Sequence, residues 1–172
     1  MQASDVNVVH LESNEQTGAY EKGQVDAAVT FDPYRAQFLR AGAATLFDST
    51  QIPGEIVDLL AVRAPIVDKE PKAIQALLTG WFGALDYIKR DPVDAARRMG
   101  IRQQTTGEQF QEAQRGLHVP TREENLRMLG GAQPELAVTG RRLMALMLEA
   151  KLLRSSLEIE RVLEPGPLAS LP

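Results

Sequence analysis

The strongest constraint on the fold lies in the first 62 residues, where short apolar runs alternate with helical stretches. Residues 6–11 (VNVVHL), 25–30 (VDAAVT), 45–47 (TLF) and 56–62 (IVDLLAV) are β-branched or apolar and bounded by polar or turn residues, the pattern of short buried strands. Between them, residues 13–22 and 34–40 read as helices, with Gly23 and Gly42 placed as stops. Strands alternating with helices of about ten residues predict βαβ units and a mainly parallel sheet.

From Pro71 onward the pattern is helical. Ile74, Leu77, Leu78, Trp81, Leu85 and Ile88 form one stripe at helical spacing across residues 71–89. Asp91-Pro92 opens a further helix. Thr105 with Glu108, and Thr121 with Glu124, fit reciprocal capping boxes. Gly130-Gly131 ends one helix, and residues 134–153 form the last long one. The tail LEPGPLASLP, with Pro165, Pro167 and Pro172, predicts an irregular strap over the surface. These helices carry more apolar stripe than four short strands cover, which implies fold elements outside this chain.

Composition excludes several classes. Nineteen basic against twenty-three acidic residues give a net charge of −4, with no basic stripe, so no nucleic-acid partner is expected. The apolar runs are too short for a transmembrane segment. The chain has no cysteine, which removes disulfides, thiolate catalysis and cysteine metal sites. Its two histidines, His10 in a Val-rich run and His118 before Pro120, show no metal spacing and read as structural. Neither a metal nor a cofactor is expected. Residues 1–13 lack a basic segment followed by an apolar one, so no signal peptide is visible.

The most informative segments are residues 18–42 (GAYEKGQVDAAVTFDPYRAQFLRAG) and 46–63 (LFDSTQIPGEIVDLLAVR). They contain the turn Gly23-Gln24-Val25-Asp26-Ala27, the corner Phe31-Asp32-Pro33-Tyr34 and the loop from Asp48 to Gly54. In this order and spacing they resemble the nitrate/sulfonate/taurine family of transporter substrate-binding proteins, which includes receptors for a thiamine-precursor pyrimidine. The likeness extends more loosely through Trp81, Phe82, Ala84 and Leu85 to about Glu164.

The resemblance implies an α/β, type II periplasmic-binding-protein-like fold, present in part. Residues 1–54 would be a second-lobe βαβ segment, and residues 55–172 a crossover strand with the C-terminal helices of the first lobe. Most of the first lobe would be absent. It further implies reversible capture of a small organic solute without catalysis, in the periplasm or another extracytoplasmic space. The partners implied are that solute and the permease subunits of an ABC importer, with a homo-oligomer possible through exposed first-lobe helices.

The expected ligand site is a strand-end corner made of Ser13, Asn14, Thr30, Phe31, Asp32 and Tyr34. Ligands of open parallel sheets bind beyond the carboxyl ends of strands, and helix N-termini offer free N–H groups there. Phe31 and Tyr34 supply aromatic faces. Asp32 at a helix start offsets the positive end of that helix, so a donor-rich ligand such as an amino-sulfonate or aminopyrimidine suits the corner better than a bare anion. Asp48, Ser49 and Thr50 are the expected hinge.

Plainer readings stand beside these. Asp32-Pro33 is a common helix start, Phe31 fits an ordinary core position, and Arg97-Arg98 and Arg141-Arg142 fit solvated helix faces. The segment from Met144 to Leu148 reads as core packing. Two other functions compete with solute capture: a thiamine-pyrimidine biosynthesis enzyme of the same fold, and a ligand-sensing regulatory domain. The lack of cysteine and of any nucleophile or metal constellation weighs against the enzyme.

Overall fold

Proline and polar caps set the helix boundaries in the computed structural model, which describes residues 2–103 and 105–171. In chain order the helices are α1 (Ser13–Glu21), α2 (Tyr34–Arg40), α3 (Ala64–Lys69), α4 (Pro71–Arg90), α5 (Pro92–Arg102), α6 (Gly107–Gln114), α7 (Arg122–Leu129), α8 (Glu135–Glu149) and α9 (Gly166–Ala169). Short 3-10 turns occupy Ala3–Asp5, Ser49–Gln51 and Ile159–Val162.

The caps follow the chemistry of exposed helix ends. Asp91 closes the start of α5 by accepting from the Asp94 N–H at 3.1 Å, with Pro92 in the first helical position. Thr121 accepts from the Glu124 N–H at 3.2 Å while Glu124 accepts from the Thr121 N–H at 2.7 Å. The second reciprocal box is one residue beyond its predicted place: Thr106 and Gln109 make it, not Thr105 and Glu108. Gly23 and Gly42 sit at φ +66° and +89° after α1 and α2, where a side chain would be strained.

Two packing groups result. Helices α1 and α2 pack chiefly on each other through Ala19 and Phe38, both buried. Helices α3 to α9 form the larger group, with α5 and α6 in closest contact. Its buried positions are Ile74, Ala95, Ala96, Gly100, Phe110, Ala137, Leu168 and Leu171. The stripe on α4 is covered unevenly: Ile74 is buried, Leu78, Leu85 and Ile88 are half-buried, and Leu77 and Trp81 are exposed. The tail packs on this group, but through the short helix α9 and not as the irregular strap expected. Leu168 and Leu171 are buried, Gln75 Nε2 on α4 donates to Ser170 Oγ at 3.0 Å, and Arg122 Nη2 on α7 donates to the Leu171 carbonyl at 2.6 Å.

The α/β expectation is overturned. No strand forms among the described residues, and the architecture is helical, which does not fit a type II periplasmic-binding-protein-like fold, even in part. Residues 6–11, 25–30, 45–47 and 56–62 have the composition of strands but no strand beside them, and β structure is a pairing of backbones rather than a property of one segment. Residues 1–54 therefore lack a βαβ unit, and residues 56–62 are not a crossover strand. Most of their apolar side chains stand out of the fold, Val29 at 96% exposure and Leu46 at 86%, while Leu11, Val25 and Val57 are half-buried.

The surface reflects this. A folded monomer of 18.9 kDa is expected to expose about 8,300 Å², whereas this chain exposes 13649 Å².

Candidate functional site

Helix α1 opens where its sequence allows a polar start. Glu15 accepts from the Glu12 N–H at 3.4 Å, and Ser13 and Asn14 form the first turn instead of ending a strand. Helix α2 follows the corner of residues 31–34. Its first turn forms as the Arg35 N–H donates to the Phe31 carbonyl at 3.0 Å. Pro33, not Asp32, occupies the cap position, and no side chain caps this helix. The Asp32 carboxylate instead approaches the backbone at Gly116, where an added Cβ would lie 3.8 Å from Oδ2.

The two rings of the corner meet edge to face. Phe31 and Tyr34 have centroids 5.8 Å apart and an interplanar angle of 85°, a favoured aromatic geometry. Phe31 is exposed and Tyr34 half-buried, so the core reading of Phe31 does not hold. Thr30 Oγ1 is buried without a hydrogen-bond partner, as is Gln16 Oε1 on α1. A buried hydroxyl with no partner is an uncommon and costly feature.

Helices α1 and α2 are held together by a tilted Tyr20–Phe38 pair, 5.4 Å between centroids, and by Thr17 Oγ1 donating to Gln37 Oε1 at 3.4 Å. Beside this contact lies an open cleft of about 430 Å³, lined by Asn14, Thr17, Gly18, Glu21, Gln37, Arg40 and Ala41. A second cleft of about 380 Å³ on the other flank of α1 is lined by Leu11, Asn14, Glu15, Gly18, Ala19, Lys22 and Gln24. Of the six expected site residues, Asn14 lines both clefts; Ser13, Thr30, Phe31, Asp32 and Tyr34 line neither.

Sequence reasoning missed Thr17, Glu21, Gln37 and Arg40. Their signal was present: Asn14, Thr17, Gly18 and Glu21 recur at helical spacing on α1, as Gln37 with Arg40 does on α2. The first cleft thus offers a carboxylate, a guanidinium, two amides and a hydroxyl. Arg40 Nε donates to the Ala36 carbonyl at 3.2 Å, which holds the guanidinium stem along its own helix.

The expected hinge residues form a closed turn. The Thr50 N–H donates to Asp48 Oδ1 at 3.0 Å and the Thr50 hydroxyl donates to the same oxygen. These bonds hold the Asp48 carboxyl below its usual range. His10 is exposed, and His118 Nε2 lies 3.4 Å from Glu124 Oε1. Among the described residues no three His, Cys, Asp or Glu side chains converge as a metal site, and no helix is long and apolar enough to cross a membrane.

The α1–α2 unit, its clefts and the 31–34 corner all fall within residues 1–101, which match the NMT1-like family and make up more than half of the chain. The chain belongs to the NMT1-like family. Membership agrees with the resemblance to nitrate/sulfonate/taurine substrate-binding proteins, since residues 18–42 and 46–63 lie inside the matched span. It points to a substrate-binding protein of ABC transporters, a group that is generally non-catalytic and typically extracytoplasmic. No curated protein and no solved structure gives a match.

Proposed function

We propose that this NMT1-like chain captures a small organic solute of the amino-sulfonate, taurine or aminopyrimidine type, without catalysis, and passes it to the permease of an ABC importer outside the cytoplasm. The observation that carries this reading is the polar cleft between α1 and α2, inside the family-matched span, with Glu21 and Arg40 both on its lining. A guanidinium and a carboxylate suit a ligand with an anionic group and an amine, because each charge-assisted hydrogen bond is roughly twice as strong as a neutral one. Asn14, Thr17 and Gln37 add neutral donors and acceptors.

The corner residues Ser13, Asn14, Thr30, Phe31, Asp32 and Tyr34 belong to the same proposed site. Of this set Asn14 lines the cleft, and the partnerless Thr30 hydroxyl is the kind of group a ligand satisfies. The turn of Asp48, Ser49 and Thr50 is the proposed pivot when the solute is enclosed.

Calorimetric titration with taurine and with 4-aminopyrimidines tests the reading. Saturable binding with a dissociation constant of about 1 mM or tighter is expected, and Arg40→Ala or Asn14→Ala weakens it about 10-fold or more. Absence of saturable binding to either class, or binding that neither substitution weakens, overturns it.

A further inference from the structure

We infer that the solute is an elongated one, whose second, anionic end reaches over Gly18 into the cleft on the other flank of α1; this rests on the reading of the first cleft as the solute site. The two clefts, of about 430 and 380 Å³, share Asn14 and Gly18 on their linings. These residues stand four apart on α1, one above the other, and form the ridge between the clefts.

The ridge is interrupted at Gly18. Glycine is a poor helix former, and here neither a positive φ nor a crowded neighbour requires it, since an added Cβ would meet nothing within 4 Å. What the missing side chain leaves is a bare saddle of backbone that joins the two clefts.

The two sides differ in chemistry. The first cleft carries Glu21 and Arg40, which match an amine beside an anionic group. The second carries the half-buried Leu11 and the buried Ala19 with Glu15, Lys22 and Gln24. Glu15 is engaged at the helix start, where it accepts from the Glu12 N–H at 3.4 Å. Lys22 lies two turns further on, about 10 Å along the axis. Among the described residues its ammonium makes no hydrogen bond or ion pair, so its three donors are open to a ligand. An aliphatic arm gains from contact with Leu11 and Ala19, and a carboxylate at its end pairs with Lys22. The ligand class is therefore an amino-sulfonate whose nitrogen bears an aliphatic arm ending in a second anionic group.

Calorimetric titration of the whole chain compares taurine, N-pentyltaurine and N-(5-carboxypentyl)taurine. The carboxypentyl probe is expected to bind about 10-fold or more tighter than taurine, with the pentyl probe between them. Lys22→Gln, outside the first cleft, brings the carboxypentyl probe down to the level of the pentyl one and leaves taurine unchanged. Gly18→Leu fills the saddle and lowers the affinity for the carboxypentyl probe about 5-fold or more relative to that for taurine. Helical circular dichroism of both variants is expected to match the parent, because Lys22 is exposed and the space over Gly18 is empty. Taurine binding with no gain from the arm overturns this inference and leaves the first-cleft reading standing. So does a gain that neither substitution reduces, or one that the pentyl probe matches in full. If none of the three binds saturably, the first-cleft reading fails and this inference falls with it.

Discussion

Tyr87 on α4 donates its phenolic hydroxyl to the carboxylate of Asp94 on α5, joining the two helices across the Asp91 corner. Asp94 also accepts from Arg97 Nε at 3.1 Å and from Arg98 Nε at 2.5 Å. The guanidinium groups of Arg90 and Arg98 lie 5.3 and 5.9 Å from the centroid of the Tyr87 ring. The Arg97-Arg98 pair is exposed, as its reading from sequence as a solvated face expects, and both guanidinium groups also pair with Asp94.

This junction predicts a pH dependence at both ends of the scale. The bond from Tyr87, with those from Arg98 and Arg97, holds the Asp94 carboxyl well below the usual range, and the bond to Asp94 pushes the Tyr87 phenol up. A depressed carboxyl contributes stability that is complete above its unfolded value, about 4, and is lost as pH falls through the folded value. A raised phenol contributes stability present below about 10 and lost as pH rises through its folded value. Melting temperature measured against pH is expected to drop less steeply for Asp94→Asn than for the parent at both extremes. Tyrosine absorbance should show one of the three phenols titrating late in the parent and earlier in the variant. Parallel curves for the two proteins would show that the junction carries no linkage.

The displaced capping box yields a sharper comparison. Thr106 Oγ1 accepts from the Gln109 N–H at 3.1 Å, whereas Thr105 Oγ1 has only a 3.4 Å bond to the Thr106 carbonyl. Thr106→Ala is expected to cost about 1 kcal/mol of stability in urea unfolding, and Thr105→Ala less than half of that. Equal losses would place the cap where the sequence pattern alone puts it.

Two glycines should respond to alanine in opposite directions. At Gly83, in the middle of α4, an added Cβ meets nothing within 4 Å, so Gly83→Ala is expected to stabilise by about 0.5–1 kcal/mol through helix propensity. At Gly100 on α5 the same atom would lie 2.8 Å from the Thr106 carbonyl carbon and 2.9 Å from the Gly107 nitrogen. Gly100→Ala must push α5 from α6, at a cost of about 1–3 kcal/mol. Denaturant midpoints of the two variants decide it, and a stabilised Gly100→Ala would mean that the helices separate freely.

Local signals were legible wherever the physics is local. Pro71, Asp91-Pro92, Thr121 with Glu124, and Gly130 after α7 mark real helix boundaries, because caps and proline act within one turn of chain. Helix α3 was missed: its six residues are too few to show a period. The strands failed for the opposite reason. Val6, Val8 and Val9 have the right side chains, but a strand exists only when another segment supplies its hydrogen bonds, and residues 6–11 do not encode that partner. The cleft proposed as the site was legible only in part. Asn14 was identified as a hydrogen-bonding group beside the corner, whereas Glu21 and Arg40 were overlooked because charged residues on short helices ordinarily face solvent.

The packing of the tail on α4 has a consequence for how the chain matures on the ribosome. Gln75 and Ser170, joined by a hydrogen bond, are 95 residues apart in sequence, and Leu168 is buried in the same group of helices as Ile74. Translation at about 5–20 residues per second therefore leaves the α4 face waiting several seconds, or longer, for the residues that seal it. During that interval the nascent helix presents an uncovered oily stripe. It is a natural ligand for a holding chaperone until residues 166–171 have emerged.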